Sequence, residues 1–212
     1  MANTRLFLLR HGETQANLEQ RYQGQGDSHL SELGIEESAD LSRSLAKEDF
    51  SAIYSSTLSR SYETAKIVAK PHKLEVTKIE TLMERNYGIW EGLTFEEIKK
   101  RFSDLYGSWL IEPGKTLIPN AESLEALQKR GVSEIEALIE KHKGKTICVA
   151  GHGGMNRAVL FHYMHIDLNN FWRIRQDNCC VNIIEFGHVP VITLLNSTAF
   201  LGDKKIKATG VY

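Results

Sequence analysis

The sequence has no excess of charge of either sign. Across 212 residues, 26 Lys and Arg stand against 27 Asp and Glu, a formal net charge of -1. With no Lys/Arg-rich run either, nothing electrostatic argues for nucleic acid as a partner. No apolar stretch approaches the about 20 residues needed to cross a bilayer, so no membrane partner is expected. The first residues show neither a basic leader nor a small-residue cleavage site, which argues against export and for a cytoplasmic protein. Cysteine is scarce. Cys148, Cys179 and Cys180 do not make a disulfide framework and suit a reducing compartment, where they read as core filler. Internal repeats and low-complexity tracts are also absent. What remains, 42% hydrophobic and 25% charged residues, is ordinary for a globular protein, and the length fits one large domain, or a domain with a substantial insertion.

Strand-like and helical stretches alternate. "TRLFLL" at 4–9 is short and apolar and reads as a buried strand. A polar loop follows, then a helix over 31–47 with Leu41 and Leu45 one turn apart. "FSAIYSS" at 50–56 is a second strand, followed by a helix from about Leu58 that Pro71 stops. "KLEVTKI" at 73–79 alternates with period two and predicts a third strand. Thr94 and Glu97 have capping-box spacing, and an aromatic-rich helical patch with Phe95, Phe102, Leu105, Tyr106, Trp109 and Leu110 follows. After Pro119 a long helix shows one apolar face through Leu124, Leu127, Gly131, Ile135 and Leu138, with Gly144 placed to end it. "KTICVA" at 145–150 is a fourth strand, and "MNRAVLFHYM" a helix after it. Two last strands, "VNIIEF" and "VPVITLL", flank a Gly187-His188 hairpin turn. This order predicts an α/β protein: a three-layer α/β/α sandwich with a mainly parallel sheet and one antiparallel edge. The polar tail at 204–212 reads as mobile.

Chemistry-bearing residues recur at the strand ends. Arg10 and His11 follow the first strand, His152 follows the fourth, Arg60 opens the helix after the second, and Glu84 lies just beyond the third. Carboxyl ends of parallel strands share one edge of a sheet, so these five can converge. Two arginines, two histidines and one carboxylate suit phosphoryl transfer. Arginine forks match phosphate oxygens, and a neutral imidazole is a competent nucleophile at phosphorus. Such an imidazole needs its other ring nitrogen tied, most simply to a backbone carbonyl such as that of Gly12. Gly153 and Gly154 at a helix start offer N–H groups to an anion. Glu84 could protonate the departing oxygen and then deprotonate water. Other signals fail on inspection. Gly144-Lys145-Thr146 and Gly114-Lys115-Thr116 have Ile139 and Trp109 where a P-loop needs its first glycine. Gly24-Gln25-Gly26 lacks the third glycine of a dinucleotide fingerprint, since His29 stands there. His162 and His165 are one turn apart but have no evident third metal ligand, so a helix surface is the better reading.

"LLRHGET" with "YQG", "SSTLSRSYETA", "ERNYGIWEG" and "GHGGMNRA" together resemble the histidine phosphatase superfamily in its phosphoglycerate-mutase-like branch, over nearly the whole chain and in the family's order. The resemblance implies one domain over 1–212 with a helical, cap-like insertion at about 90–120 over the active site. It makes His11 the phosphorylated nucleophile, Arg10, Arg60 and His152 the phosphate pocket, and Glu84 the proton donor. Asn17, Gln23 and Gly24 match positions that contact phosphate in relatives, and the segment Trp90 to Trp109 matches the region walling the substrate pocket, while the aromatics over Phe102–Trp109 taken by themselves read as core more often than as wall. No metal or other cofactor is implied, because the arginines supply the positive charge.

The short, weakly basic connection between Glu84 and His152 resembles the phosphatase members rather than the mutases, whose insertion is longer. Lys99, Lys100 and Arg101 are its only basic cluster and read as a solvated helix face. The expected activity is therefore a metal-independent phosphomonoesterase acting on a small phosphorylated metabolite, as in members that act on α-ribazole phosphate or phosphoserine, or with broad specificity. A phosphoglycerate mutase and a non-catalytic phosphate-sensing binder are the alternatives. One departure stands out: Asn120-Ala121-Glu122-Ser123 replaces a Gly-Gly-Glu-Ser run common in relatives. A second copy of the chain, pairing along the C-terminal hairpin edge, is a candidate partner.

Overall fold

In a computed structural model, residues 3–202 are described; the tail at 204–212 therefore lies outside the described residues. Six strands form one sheet in the order β3-β2-β4-β1-β5-β6. They are β1 (Thr4–Arg10), β2 (Phe50–Ser56), β3 (Val76–Ile79), β4 (Thr146–Gly151), β5 (Val181–Phe186) and β6 (Pro190–Ser197). The first four run parallel to one another, while β5 and β6 make the antiparallel edge. The expected mainly parallel sheet with an antiparallel edge is what is found.

Alternate residues of each central strand go to opposite faces. Leu6 and Leu8 of β1 join Ile147 and Val149 in one core, whereas Phe7 and Leu9 join Cys148 and Ala150 in the other. The second core is closed by α2 (Glu32–Leu45) and α3 (Ser59–Ala69), which supply Leu41, Leu45, Ala65 and Val68. The first is closed by α6 (Leu124–Lys141) and α7 (Gly153–Tyr163). All three cysteines are free and buried. No helix among the described residues is long and apolar enough to cross a membrane.

Between β1 and α2 the loop contains one turn of helix, α1 (Gln15–Leu18), capped by Thr14, whose hydroxyl accepts the Asn17 N–H. β3 is three residues shorter than its alternating pattern predicts. Pro71 sits in a 3-10 turn at Lys70–His72, and Lys73 follows with φ +56, so extended pairing cannot start at once. The aromatic patch forms two helices, α4 (Phe95–Arg101) and α5 (Ser103–Ile111), broken at Phe102 where φ is -137. The Thr94–Glu97 capping box at the start of α4 is present, and Lys99, Lys100 and Arg101 are exposed as expected.

Candidate active site

The register of the two central strands sets the geometry. Arg10 pairs with Gly151 across β1 and β4, and the His11 N–H donates to the Gly151 carbonyl at 3.2 Å. His11 and His152, each one residue further on, therefore face each other, with ring centroids 5.3 Å apart. Arg60 stands in the first turn of α3, just past the end of β2. Glu84 follows the 3-10 turn at Glu80–Leu82 beyond β3. One cleft is lined by Arg10, His11, Asn17, Gln23, Gly24, Arg60, Glu84 and Gly153, so eight of the nine candidate residues share its wall. His152 is fully buried, with its ring beside that of His11 at the floor of this group.

The protonation of both imidazoles can be read from their partners. His11 Nδ1 lies 2.7 Å from the Gly12 carbonyl, which can only accept, so Nδ1 carries the proton and Nε2 the lone pair. Burial first, then the charges of Arg60 and Arg10, push this imidazole well below its ordinary value, against the pull of the Gly12 bond. It is neutral and basic at Nε2 near neutral pH. The Ser56 hydroxyl accepts the Leu58 N–H at 3.3 Å and lies 2.6 Å from His152 Nε2; with the hydroxyl as the donor of that bond, His152 carries its proton on Nδ1. Burial, then Arg60 and His11, depress His152 in the same direction.

Arg60 is held by its loop: Nη1 donates to the Gly26 carbonyl at 2.8 Å and Nη2 to that of Gly24 at 2.7 Å. Burial brings its pKa down to about 10, still cationic at neutral pH. Arg10 Nη1 donates to the Gln176 carbonyl at 2.5 Å. Arg10 Nε, Arg60 Nε and His152 Nδ1 are buried with no hydrogen-bond partner among the described residues. Buried polar groups are normally paired, so three unmatched N–H donors around a neutral imidazole describe a receptor for an anion. Among the described residues no group of three His, Cys, Asp or Glu side chains is placed to hold a metal ion, and His162 and His165 are exposed.

Glu84 is 8% exposed and is gripped by backbone donors. Oε1 accepts from the Arg85 and Met155 N–H groups at 2.8 and 3.0 Å, and Oε2 from Gly154 N–H at 2.9 Å. The N–H of Gly154, expected to face an anionic ligand, is thus taken by this carboxylate. A Cβ at residue 154 would stand 2.6 Å from Glu84 Oε1, so only glycine permits the approach. Asn17 and Gln23 are oriented by Thr14: its N–H and hydroxyl donate to Asn17 Oδ1 at 3.2 and 3.0 Å, and the hydroxyl also reaches Gln23 Oε1 at 3.0 Å. Gly24 adopts φ +54, and a side chain there would run into the Glu91 carboxylate.

Most of the aromatic segment is core, the reading the residues favour over a substrate wall. Trp90 and Trp109 are fully buried, and edge-to-face packing among Tyr22, Tyr87, Trp90 and Trp109 makes them core. From that segment only Phe95 reaches the cleft, joined by Tyr22, Tyr87 and Trp172 from outside it. Sequence reasoning also missed Arg21, Arg157, Arg175, Gln176 and Asp177, all in the wall. The stretch Gln176–Cys180 is tied to His11: Asn178 Nδ2 and Cys179 N–H both donate to the His11 carbonyl at 3.1 Å. The signal for it was topological, since residues preceding an antiparallel strand lie at the edge where its parallel neighbours end.

The histidine phosphatase superfamily (branch 1) model matches residues 6–198. The chain belongs to this superfamily. Phosphoserine phosphatase 1 of Hydrogenobacter thermophilus is 33% identical, with 96% of this chain and 97% of that protein covered. Adenosylcobalamin/alpha-ribazole phosphatase of Escherichia coli is 29% identical over 92% of this chain and 97% of its own length. Among solved structures, an Entamoeba histolytica phosphoserine phosphatase mutant in complex with phosphoserine superposes with a TM-score of 0.85 at 30% identity, covering 93% of this chain and 99% of that one. As a histidine phosphatase of this kind, the protein is a phosphoric monoester hydrolase acting on small phosphorylated metabolites.

Proposed function

We propose that His11 Nε2 attacks the phosphorus of a small phosphomonoester and carries the phosphoryl group as a covalent intermediate. The observation that supports this most is the state of His11: neutral, its Nδ1–H spent on the Gly12 carbonyl, and its Nε2 lone pair beside two arginines. In the first step the Nε2–P bond forms and the ester P–O bond breaks. The Nε–H groups of Arg10 and Arg60 and the Nδ1–H of His152 hold the phosphoryl oxygens. Glu84 gives its proton to the leaving oxygen. Oε2 accepts one N–H bond where Oε1 accepts two, so Oε2 has room for that proton. In the second step Glu84 takes a proton from water as the water oxygen attacks phosphorus. The Nε2–P bond breaks, and inorganic phosphate leaves with Glu84 reprotonated. Asn17, Gln23, Gly24 and Gly153 shape the wall around the phosphoryl group.

Phosphoserine is the first natural substrate to test, because the similar proteins named above include phosphoserine phosphatases. The deciding experiment is hydrolysis of p-nitrophenyl phosphate and phosphoserine with a chelator present, wild type beside His11→Ala. Chelator-resistant phosphate release is expected, with an acid-labile, alkali-stable phosphoenzyme that vanishes in the variant. Turnover that persists in His11→Ala would overturn the nucleophile assignment. Transfer within a phosphoglycerate without phosphate release would favour the mutase reading.

A further inference from the structure

Arg130 lies on α6, outside the walls of the cleft, yet every one of its N–H donors is engaged, three of them on the segment that carries Glu84 and two on Glu122. Nε and Nη2 donate to the two oxygens of Glu122, at 2.6 and 2.8 Å. Nη1 donates to the carbonyls of Thr81 and Met83, each at 2.7 Å, and the second Nη2 hydrogen goes to the Glu84 carbonyl at 2.9 Å. Five donors is the full complement of a guanidinium. Both partners are mostly covered, Arg130 at 22% and Glu122 at 16% exposure, which makes this a fixed fork rather than a loose surface pair.

Glu122 adds backbone bonds on the same segment. Its carbonyl accepts Arg85 Nε at 2.7 Å, and its N–H donates to the Asn86 carbonyl at 3.0 Å. Residues 81–86 are therefore bound from behind by the start of α6, while the Glu84 carboxylate is bound in front by the start of α7. The two helices are locked together beside this point, since Gly131 lets the Met155 side chain approach within what a Cβ would occupy.

We propose that Arg130, fixed by Glu122, is the positioning residue for Glu84: it holds the peptide from which the proton-transferring carboxylate projects, without touching substrate. This rests on Glu84 being the proton donor, as proposed above. Proton transfer in a transition state depends on sub-ångström placement, and a small displacement of such a group costs up to about a hundredfold in rate. A guanidinium with five bonds in one plane provides that placement; a lysine, with one point charge, provides part of it.

The test uses leaving groups. An aryl ester such as p-nitrophenyl phosphate departs without help from an acid, whereas an alkyl ester such as phosphoserine needs the proton. Values of kcat/KM for both esters are measured for wild type, Glu84→Gln, Arg130→Met, Arg130→Lys and Glu122→Gln, with circular dichroism confirming the fold of each. Arg130→Met is expected to lower kcat/KM about tenfold more for the alkyl ester than for the aryl ester, with Arg130→Lys and Glu122→Gln in between. Added to Glu84→Gln, Arg130→Met should bring no further alkyl-specific loss. An equal loss on both esters, in Arg130→Met or in the milder variants should that one not fold, would overturn the positioning role while Glu84→Gln still showed the alkyl-specific defect. If Glu84→Gln itself lacked that defect, the reading of Glu84 as proton donor would fall first, and this proposal with it.

Discussion

At the scale of single residues, the site is defined by groups held in unusual protonation states. His11 and His152 are both kept neutral, chiefly by burial and then by neighbouring positive charge. The unfolded chain binds protons at these positions more readily than the folded one. Stability from this source is complete above the unfolded histidine pKa of about 6.5 and is lost as pH falls from there through the lower folded values. Two protons correspond to a slope of up to about 2.7 kcal/mol per pH unit. Urea unfolding between about pH 7.5 and 5 should show it, and a His11→Asn/His152→Asn double variant should show a shallower slope. An unchanged slope would place the acid sensitivity elsewhere. Gly154 makes a second test at this scale. Gly154→Ala puts a methyl 2.6 Å from Glu84 Oε1, so kcat/KM for an alkyl phosphate should fall roughly tenfold to a hundredfold with the fold retained.

At the scale of elements, boundaries come from residues that stop or start hydrogen-bonded runs. Ser123 accepts the Ala126 N–H and opens α6. Ser123→Ala should therefore cost about 1 kcal/mol, read as a lowered urea midpoint. Elements whose apolar pattern and punctuation agree were legible in the sequence: β2 at Phe50–Ser56 and β5 at Val181–Phe186 fall where the pattern puts them. β3 was overextended because nothing in its alternation announces the left-handed Lys73. The aromatic helices were legible as helices and, over Phe102–Trp109, as core sooner than wall, but the sequence could not decide residue by residue. A tryptophan that packs against other rings and one that walls a cleft have the same spacing, and only the tertiary contacts around Trp109 separate them. That Arg10, His11, Arg60, Glu84 and His152 converge was legible because parallel strands finish at a common edge. Arg175 and Gln176 were not, because their placement depends on β5 running antiparallel to β1, and periodicity carries no direction.

At the scale of the whole molecule, the segment expected to form an insertion shares its core with the sheet. Trp90, Trp109 and Ile98 belong to the same core as Leu6, Leu8 and Val149. A cap folding on its own would need a core of its own. Urea unfolding followed by tryptophan fluorescence, which reports Trp90, Trp109 and Trp172, should therefore coincide with unfolding followed by circular dichroism. Separate midpoints would make the insertion an independent unit. Trp109→Ala should destabilise the entire protein by about 3–5 kcal/mol rather than loosen one flap.

The sheet order has a consequence in time. β1 carries the histidine, yet its two neighbours are β4 and β5, among the last strands to be made. At about 5–20 residues per second, the ribosome leaves Leu6–Leu9 unpaired for roughly ten to forty seconds before both partners exist. A nascent chain arrested before Gln176 has neither the loop that anchors the His11 carbonyl nor the second flank of its strand. The strand that carries His11 is therefore flanked on both sides only once the chain has been made through Phe186.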